Sequence, residues 1–442
     1  MFVPAPEEGA PYPARPPRVR DECGAKPMMR TIRNKVSAGE RLSGKDALYL
    51  LRDAPLLELA PLAMAVRWRH NPRRRVTYVV DTNLNYTNIC DAYCTFCAFY
   101  RRPGQEGEYA YSIDEMMGQF ARARAMGCTT VLLQGGLNDE VPFSFYTDLV
   151  RETIRRFPDI HPHFYSAPEV KKMQEVSGLS LEGVVDALYE AGLRTIPGGG
   201  AEVLTDRVKK HVSKIWPKAK TADWVDVHRA AHKAGLRSTA TLMYGHVETN
   251  EDIAEHLEIT RALQDETGGF TAFIPWSYKR DNSPLSRKVP VEAGPNRYLR
   301  IIAVSRLMLD NFSHIQASWF SEGKKTGVVA LNFGADDFGG TIFDENVMQE
   351  AGFFNRTTVE EICALIRDAG FVPAQRTTLY KVLGEFPESG SGSDVDASGG
   401  DVRGAGVGSE GPVARAANST EASNPRTPPR SSGAPARRSA GA

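Results

Sequence analysis

Three cysteines, Cys90, Cys94 and Cys97, fall within eight residues of the stretch NICDAYCTFCAFYR, while Cys23, Cys128 and Cys363 are scattered. A disulfide framework would be spread along the chain, so this clustering points to a metal or cluster site in a reducing compartment. Structural zinc takes four ligands in a closed tetrahedron, and no nearby Cys or His is spaced to supply the fourth. Buried inert thiols fit poorly beside Asn85, Tyr86, Asn88 and Asp91, which mark a polar loop. An iron–sulfur cubane takes one thiolate per iron. Three thiolates on one short loop would leave one iron open to a substrate or cofactor. A zinc or iron–sulfur protein without catalytic activity is the alternative from another class.

Something rigid must hold that loop. From Val76 onward, short apolar runs alternate with amphipathic stretches: VTYVVDTNLNYT, CTTVLLQGG, HPHFYSA, LRTIPGG, RSTATLMYG, GFTAFIPW, HIQASWF and ADDFGG read as strands. The intervening segments have helical period, and SIDEMMGQFARARAMG begins with Ser112 as N-cap and Glu115 closing a capping box. About eight such steps imply a parallel sheet closed into a (β/α)8 barrel, with an open doubly wound sheet as the competing architecture. The expected organisation is a Pro-rich disordered extension over 1–27, N-terminal helices over 28–75, the barrel over 76–383 and a disordered Gly/Ser/Pro-rich tail over 384–442. Lys+Arg and Asp+Glu are 54 each; zero net charge gives no sign of a nucleic-acid partner. No apolar run reaches the roughly 20 residues of a membrane span, and the proline-rich N-terminus has no signal-peptide core. A cytoplasmic enzyme is the expectation.

In a parallel barrel, chemistry sits where strands end. The cysteine loop follows the first strand. Gln134-Gly135-Gly136 ends the second, Ser166 the third and PGGGAEVL, with Glu202, the fourth. His246 and Glu248 follow the fifth, and IPWSYKRDNSPL, mixing aromatic and basic residues, follows the sixth. Asp336 and Asp337 lie near the last strand. Each has a plain alternative: a strand-to-helix turn for the glycines, a turn or helix-start acid for Glu202, a structural hydrogen bond for His246 and solvated charge for Lys279 and Arg280. His161 and His163 flank Pro162 at a strand start, the stability end of a barrel, and read as structural.

The pattern C-x3-C-x-φ-C, with Phe96 as φ, resembles that of the radical S-adenosylmethionine (SAM) superfamily. The resemblance implies a [4Fe–4S] cluster on Cys90, Cys94 and Cys97, with SAM chelating the open iron. One electron then cleaves the sulfonium C–S bond to give a 5′-deoxyadenosyl radical that removes hydrogen from substrate, while the protein positions the reactants and excludes water. It further implies that Gln134, Gly135 and Gly136 contact the SAM ammonium, that Glu202 meets the ammonium or ribose, and that Ser166 is a SAM or substrate contact. The words DTNLNYTNIC, LLQGGLNDEVPFSFY, SAPEV, TLMYGHVET and AGFVPAQRTTLY resemble one branch of the superfamily, the menaquinone enzymes of the futalosine route and the deazaflavin-forming FO synthases. Within it the likeness is to enzymes that cyclise dehypoxanthine futalosine. That activity requires a base for a ring proton, for which His246, Glu248 and Asp337 are candidates, and an electron donor such as flavodoxin or ferredoxin. Aminofutalosine synthase and an FO synthase subunit are the rivals.

Overall fold

The computed structural model describes residues 27–213 and 220–386; the expected extension up to residue 26 and nearly all of the expected tail lie outside them. Three helices come first: Pro27–Ala38, Gly44–Arg52 and Leu56–His70. The second is closed by a Ser43–Asp46 capping box, which satisfies donors that a helix start leaves open.

The strands follow as β1 Arg75–Val79, β2 Asp81–Leu84, β3 Thr130–Leu133, β4 His161–Phe164, β5 Thr195–Ile196, β6 Arg237–Tyr244, β7 Phe270–Ser277, β8 His314–Ile315, β9 Asp337–Gly340, β10 Val372–Arg376 and β11 Val382–Glu385. Strands β2 to β8 make a seven-stranded parallel sheet in chain order. The last of the eight positions is filled by β9. It bridges β8 through Gln316 and Asp337, with Ala317 N donating to Asp337 O at 2.7 Å, and pairs in parallel with β1. The ring closes because β1 and β2 are one strand bent at Val80. Val79 O accepts from Thr341 N on one side, and Val80 O from Thr129 N on the other.

The SIDEMMGQFARARAMG helix runs Ile113–Ala125 with the expected capping box. Alternation along strands sends one set of side chains to the helix layer and the other to the lumen. In β2, Thr82 and Leu84 are buried outward while Asp81 and Asn83 stay half-buried on the inner face. In β6 and β7, Thr239, Thr241, Ile274 and Trp276 do the same, whereas Tyr244 stacks on Tyr298 of helix Pro295–Met308.

The fold departs from expectation in three places. Residues 384 and 385, expected in the tail, belong to β11, which pairs antiparallel with β10, so the folded body extends past the expected boundary. Strand β10 is itself an addition to the barrel, lying parallel to β1. SAPEV, read as a strand end, opens a helix over Ala167–Ser177 with Ser166 as N-cap. No helix among the described residues is long and apolar enough to cross a membrane.

Candidate active site

The cysteine loop leaves β2 and is fastened along its length. Ile89 bridges Arg101, Cys90 N donates to Arg101 O at 3.0 Å and Asp91 N to Leu137 O at 2.9 Å. The Arg101 guanidinium donates to the carbonyls of Ala98, Phe99 and Tyr100, each at 3.1 Å. Thr95 is held between two other rim segments, donating to Val212 O at 2.8 Å and accepting from Leu285 N at 2.8 Å. Cys90, Cys94 and Cys97 are thiols, not disulfides. Together with Ala92, Phe96 and Leu137 they form a small apolar cluster of their own, and Cys94 Sγ lies 3.0 Å from Ser213 Oγ.

The glycines that end β3 are packed against this loop. A Cβ at Gly136 would overlap the Ile89 carbonyl and come within 3.0 Å of Cys90 Cβ; one at Gly135 would overlap the Tyr86 ring. A Cβ at Gly199, after β5, would overlap the Gln134 amide and sit 3.3 Å from Ser166 Cβ. Gln134, Ser166 and Gly199 therefore meet, bringing together the rim ends of β3, β4 and β5.

A carboxylate not singled out from the sequence organises this corner. Glu169 is 1% exposed. Its Oε1 accepts from Tyr86 OH at 2.8 Å and Gly135 N at 2.9 Å, and its Oε2 from Ser166 N at 2.7 Å and Ser166 Oγ at 2.6 Å. Burial pushes its pKa up and the four donors oppose that shift. The signal was present in the sequence: Ser166 followed three residues on by Glu169 is a capping box. One turn further, buried Lys172 reaches Asp91 at 2.8 Å, Asp139 at 2.6 Å and Glu175 at 2.8 Å, so one helix face holds both the glycine turn and the cysteine loop. No sequence pattern distinguished this lysine from a surface charge.

Glu202 is buried at φ +44°, its carboxylate 3.5 Å from the Lys209 ammonium. Lys209 also donates to Gly200 O at 2.8 Å. Of the three residues proposed from the sequence as bases, Glu248 and Asp337 are engaged through both oxygens, while His246 Nδ1 is buried without a hydrogen-bond partner among the described residues. Glu248 accepts from Gly245 N at 2.7 Å with one oxygen and from His246 N at 2.8 Å with the other, clamping the turn after β6. The buried His246 ring lies with Nε2 2.8 Å from Met243 O and Nδ1 3.4 Å from Glu248. Burial lowers its pKa against the pull of Glu248.

Asp337 is not at the rim. It opens β9, fully buried, with Arg376 Nε at 2.5 Å and Nη2 at 2.9 Å, Thr77 Oγ1 at 2.6 Å and Gly339 N at 2.9 Å. Neighbouring Asp336 pairs with Arg306 and with His314 at 2.6 Å. Both acids belong to the barrel floor. So do His161 and His163, which share Thr195 Oγ1 at 2.8 Å each as expected of structural histidines. Lys279 is 8% exposed, 3.5 Å from Glu292 and over the Phe353 ring, and is thus not a solvated charge.

Six described non-glycine residues have positive φ, and five of them, Tyr93, Tyr165, Glu202, Asn282 and Ile342, follow strand ends at the rim. Strained backbone gathers where structure serves function.

The donor set fits an iron–sulfur cluster. Thiolates are its usual ligands, and the three here share one loop while, among the described residues, no three His, Cys, Asp or Glu side chains converge as around a single ion. Gly136, Gln134 and Ser166 stand beside the loop and bring amide and hydroxyl groups of the kind that suit a zwitterionic amino acid.

Two family models match: the radical SAM superfamily over residues 84–259 and the CofH/MqnC C-terminal region over 267–389. The chain is 39% identical to the cyclic dehypoxanthine futalosine synthase of Halalkalibacterium halodurans, over 79% of this chain and 94% of that protein. It is 40% identical to the 5-amino-6-(D-ribitylamino)uracil–L-tyrosine 4-hydroxyphenyl transferase of Methanoculleus marisnigri, over 81% of this chain and 98% of that one. Among solved structures, the hydrogenase maturase HydG of Carboxydothermus hydrogenoformans superposes with a TM-score of 0.64 at 19% identity, over 80% of each chain, a likeness of fold. The expected barrel and the thiol loop on its rim thus meet the family in both sequence and architecture, and the chain belongs to the radical SAM superfamily, in the branch that carries the CofH/MqnC C-terminal region.

Proposed function

We propose that this enzyme cyclises dehypoxanthine futalosine to cyclic dehypoxanthine futalosine in menaquinone biosynthesis, in the cytoplasm, with reduction by a donor such as flavodoxin or ferredoxin. The observation that carries the reading is the three-thiol loop seated on Gly136 at the mouth of a half-polar lumen, in a chain similar along its folded length to a cyclic dehypoxanthine futalosine synthase. Cys90, Cys94 and Cys97 would hold the [4Fe–4S] cluster, and Phe96, Gln134, Gly135, Gly136, Ser166 and Glu202 would hold SAM; when bound, the two would supply radical chemistry at the substrate ribose.

The chain's own residues do the rest by position. Tyr86 and Glu169 fix the glycine turn, Lys172 fixes the loop, and the lumen walls Thr239, Thr241, Ile274 and Trp276 hold the ribose carbon against the benzoate ring. Such orientation is worth several kcal/mol, at most about 7–11, of barrier. The 40% identity to a tyrosine 4-hydroxyphenyl transferase favours a second reading, in which tyrosine and a ribitylaminouracil are joined. Anaerobically reconstituted enzyme with SAM and a reductant separates the two. Dehypoxanthine futalosine losing two hydrogens in mass supports the cyclase. An unchanged substrate, with turnover of the tyrosine pair instead, refutes it.

A further inference from the structure

Closing the ring, on the reading just proposed, requires a base inside the lumen. Of the groups expected to serve, Glu248 and Asp337 are already hydrogen-bonded through both oxygens, and the His246 side chain is fully buried against Met243 O and Glu248. A carboxylate on the lumen face has a free oxygen. Asp81, on the inner face of the bent first strand, is half-buried. Its Oδ1 accepts from Ile342 N at 2.9 Å, and Oδ2 carries no hydrogen bond among the described residues. Two features of the chain after β9 exist around this carboxylate. A Cβ at Gly340 would overlap both its oxygens, so only glycine leaves the niche it occupies. Ile342 sits at φ +45°, a conformation that costs a β-branched residue of order 1–3 kcal/mol, and in doing so aims its N–H at Asp81. Thr341 and Phe343 meanwhile bond the Asp81 carbonyl at 2.9 and 3.2 Å.

We propose that Asp81 is the base that accepts the proton lost from the substrate's aromatic ring after the new carbon–carbon bond has formed. In that step the ring C–H bond breaks. Its proton goes to the Asp81 carboxylate and the unpaired electron to a one-electron acceptor of the iron–sulfur class, which restores aromaticity. With the hydrogen atom removed earlier from the ribose, the substrate has lost two hydrogens. The surroundings of the carboxyl suit it to proton transfer. Burial raises its pKa to about 6, against the Ile342 N–H and Arg376 of β10, while Asp337 of β9 adds to the rise. Cys128, before β3, also faces it, a thiol pushed up to about 12 by burial and by Asp81. A base with a pKa near the working pH is both ionised and able to hold a proton.

The test compares wild type with Asp81→Asn and Gly340→Ala, the second moving the carboxylate without changing it. Anaerobic turnover with dehypoxanthine futalosine is expected to give about one cyclised product per 5′-deoxyadenosine in wild type. In both variants the ratio should fall at least tenfold, with 5′-deoxyadenosine still formed. The acid limb of the wild-type pH profile should disappear in Asp81→Asn. Unfolding of the apoprotein supplies a second readout. Because the folded pKa lies above the unfolded one, the charge penalty is absent below about pH 4 and complete above about pH 6. Asp81→Asn should therefore raise the midpoint at pH 8 and leave it unchanged at pH 4, whereas a purely structural carboxylate would lower it. An unchanged product ratio in Asp81→Asn overturns the proposal and leaves the cyclase reading standing. A wild type that makes 5′-deoxyadenosine but no cyclised product overturns both.

Discussion

The Asp337–Arg376 pair decides whether the acid near the last strand serves chemistry or the fold, and Arg376→Met isolates the question. The carboxylate is 0% exposed and the guanidinium 6%. Removing the arginine leaves a buried anion with two neutral donors, Thr77 Oγ1 and Gly339 N. Stranding a charge in this way costs roughly 3–5 kcal/mol, a large part of a typical 5–15 kcal/mol stability. With a urea slope of about 3 kcal/mol per M, the midpoint of the apoprotein should fall by about 1–1.7 M. Replacing both partners, Arg376→Met with Asp337→Leu, should recover most of the loss, because a pair of apolar groups leaves no unpaired charge. The two single changes would then be non-additive by at least about 2 kcal/mol. Circular dichroism in urea on the four proteins of this cycle measures it. An Arg376→Met protein within about 1 kcal/mol of wild type would contradict a structural role for the pair, as would an Asp337→Asn enzyme that is fully stable yet inactive.

Cys94→Ala should fail to develop the broad visible absorption of an iron–sulfur cluster on reconstitution while keeping its far-ultraviolet circular dichroism. Retained absorption would remove Cys94 from the ligands. Glu169→Gln places an amide NH2 against Ser166 N–H and O–H, leaving buried donors unsatisfied at about 1–3 kcal/mol; SAM dissociation constants should rise about tenfold, and an unchanged value would free the glycine turn from this carboxylate. Six histidines, His70, His161, His163, His228, His232 and His256, are held below their ordinary pKa chiefly by burial. Their contribution is whole above about pH 6.5 and is lost as pH falls toward the folded values, about 3 for His163 and about 4 for His161. A histidine held about two pH units low in this way contributes about 3 kcal/mol. Urea midpoints should therefore fall steeply between pH 7 and 5, and a flat profile would contradict it.

Element type was readable where period and caps agreed. Ser112 and Glu115 mark a helix start in the sequence and form it in the structure, and β6 and β7, eight residues each, carry enough apolar alternation to be seen. Strands β10 and β11 were missed because VPAQR and VLGE are short and flanked by polar residues, and because the pairing of β10 with β1 is a contact some 300 residues apart in sequence that no local pattern encodes. The cysteine loop was legible because its chemistry lies in spacing along the chain. The base was not, because its chemistry lies in depth. Asp337 and Asp81 are both strand acids, and nothing local says that Arg376 rises from the floor to pair with one while Gly340 clears a niche for the other.

The glycines at the rim show the same division between what spacing tells and what packing adds. From the sequence, Gly135 and Gly136 suggest a backbone laid bare for a ligand. In the structure their missing Cβ atoms are taken up first by the protein: the Tyr86 ring covers one and the cysteine-loop carbonyl of Ile89 the other. The two readings are compatible because they act in sequence. The strand end is drawn onto the loop by its own amides, Gly136 N donating to Thr87 O and Gly135 N to Glu169, and Tyr86 is kept in place by that same Glu169. A side chain at either glycine would therefore part the loop from the turn before it met any bound molecule. What the glycines secure is the close seat of the cysteine loop on the end of β3, the approach that the proposed SAM site requires.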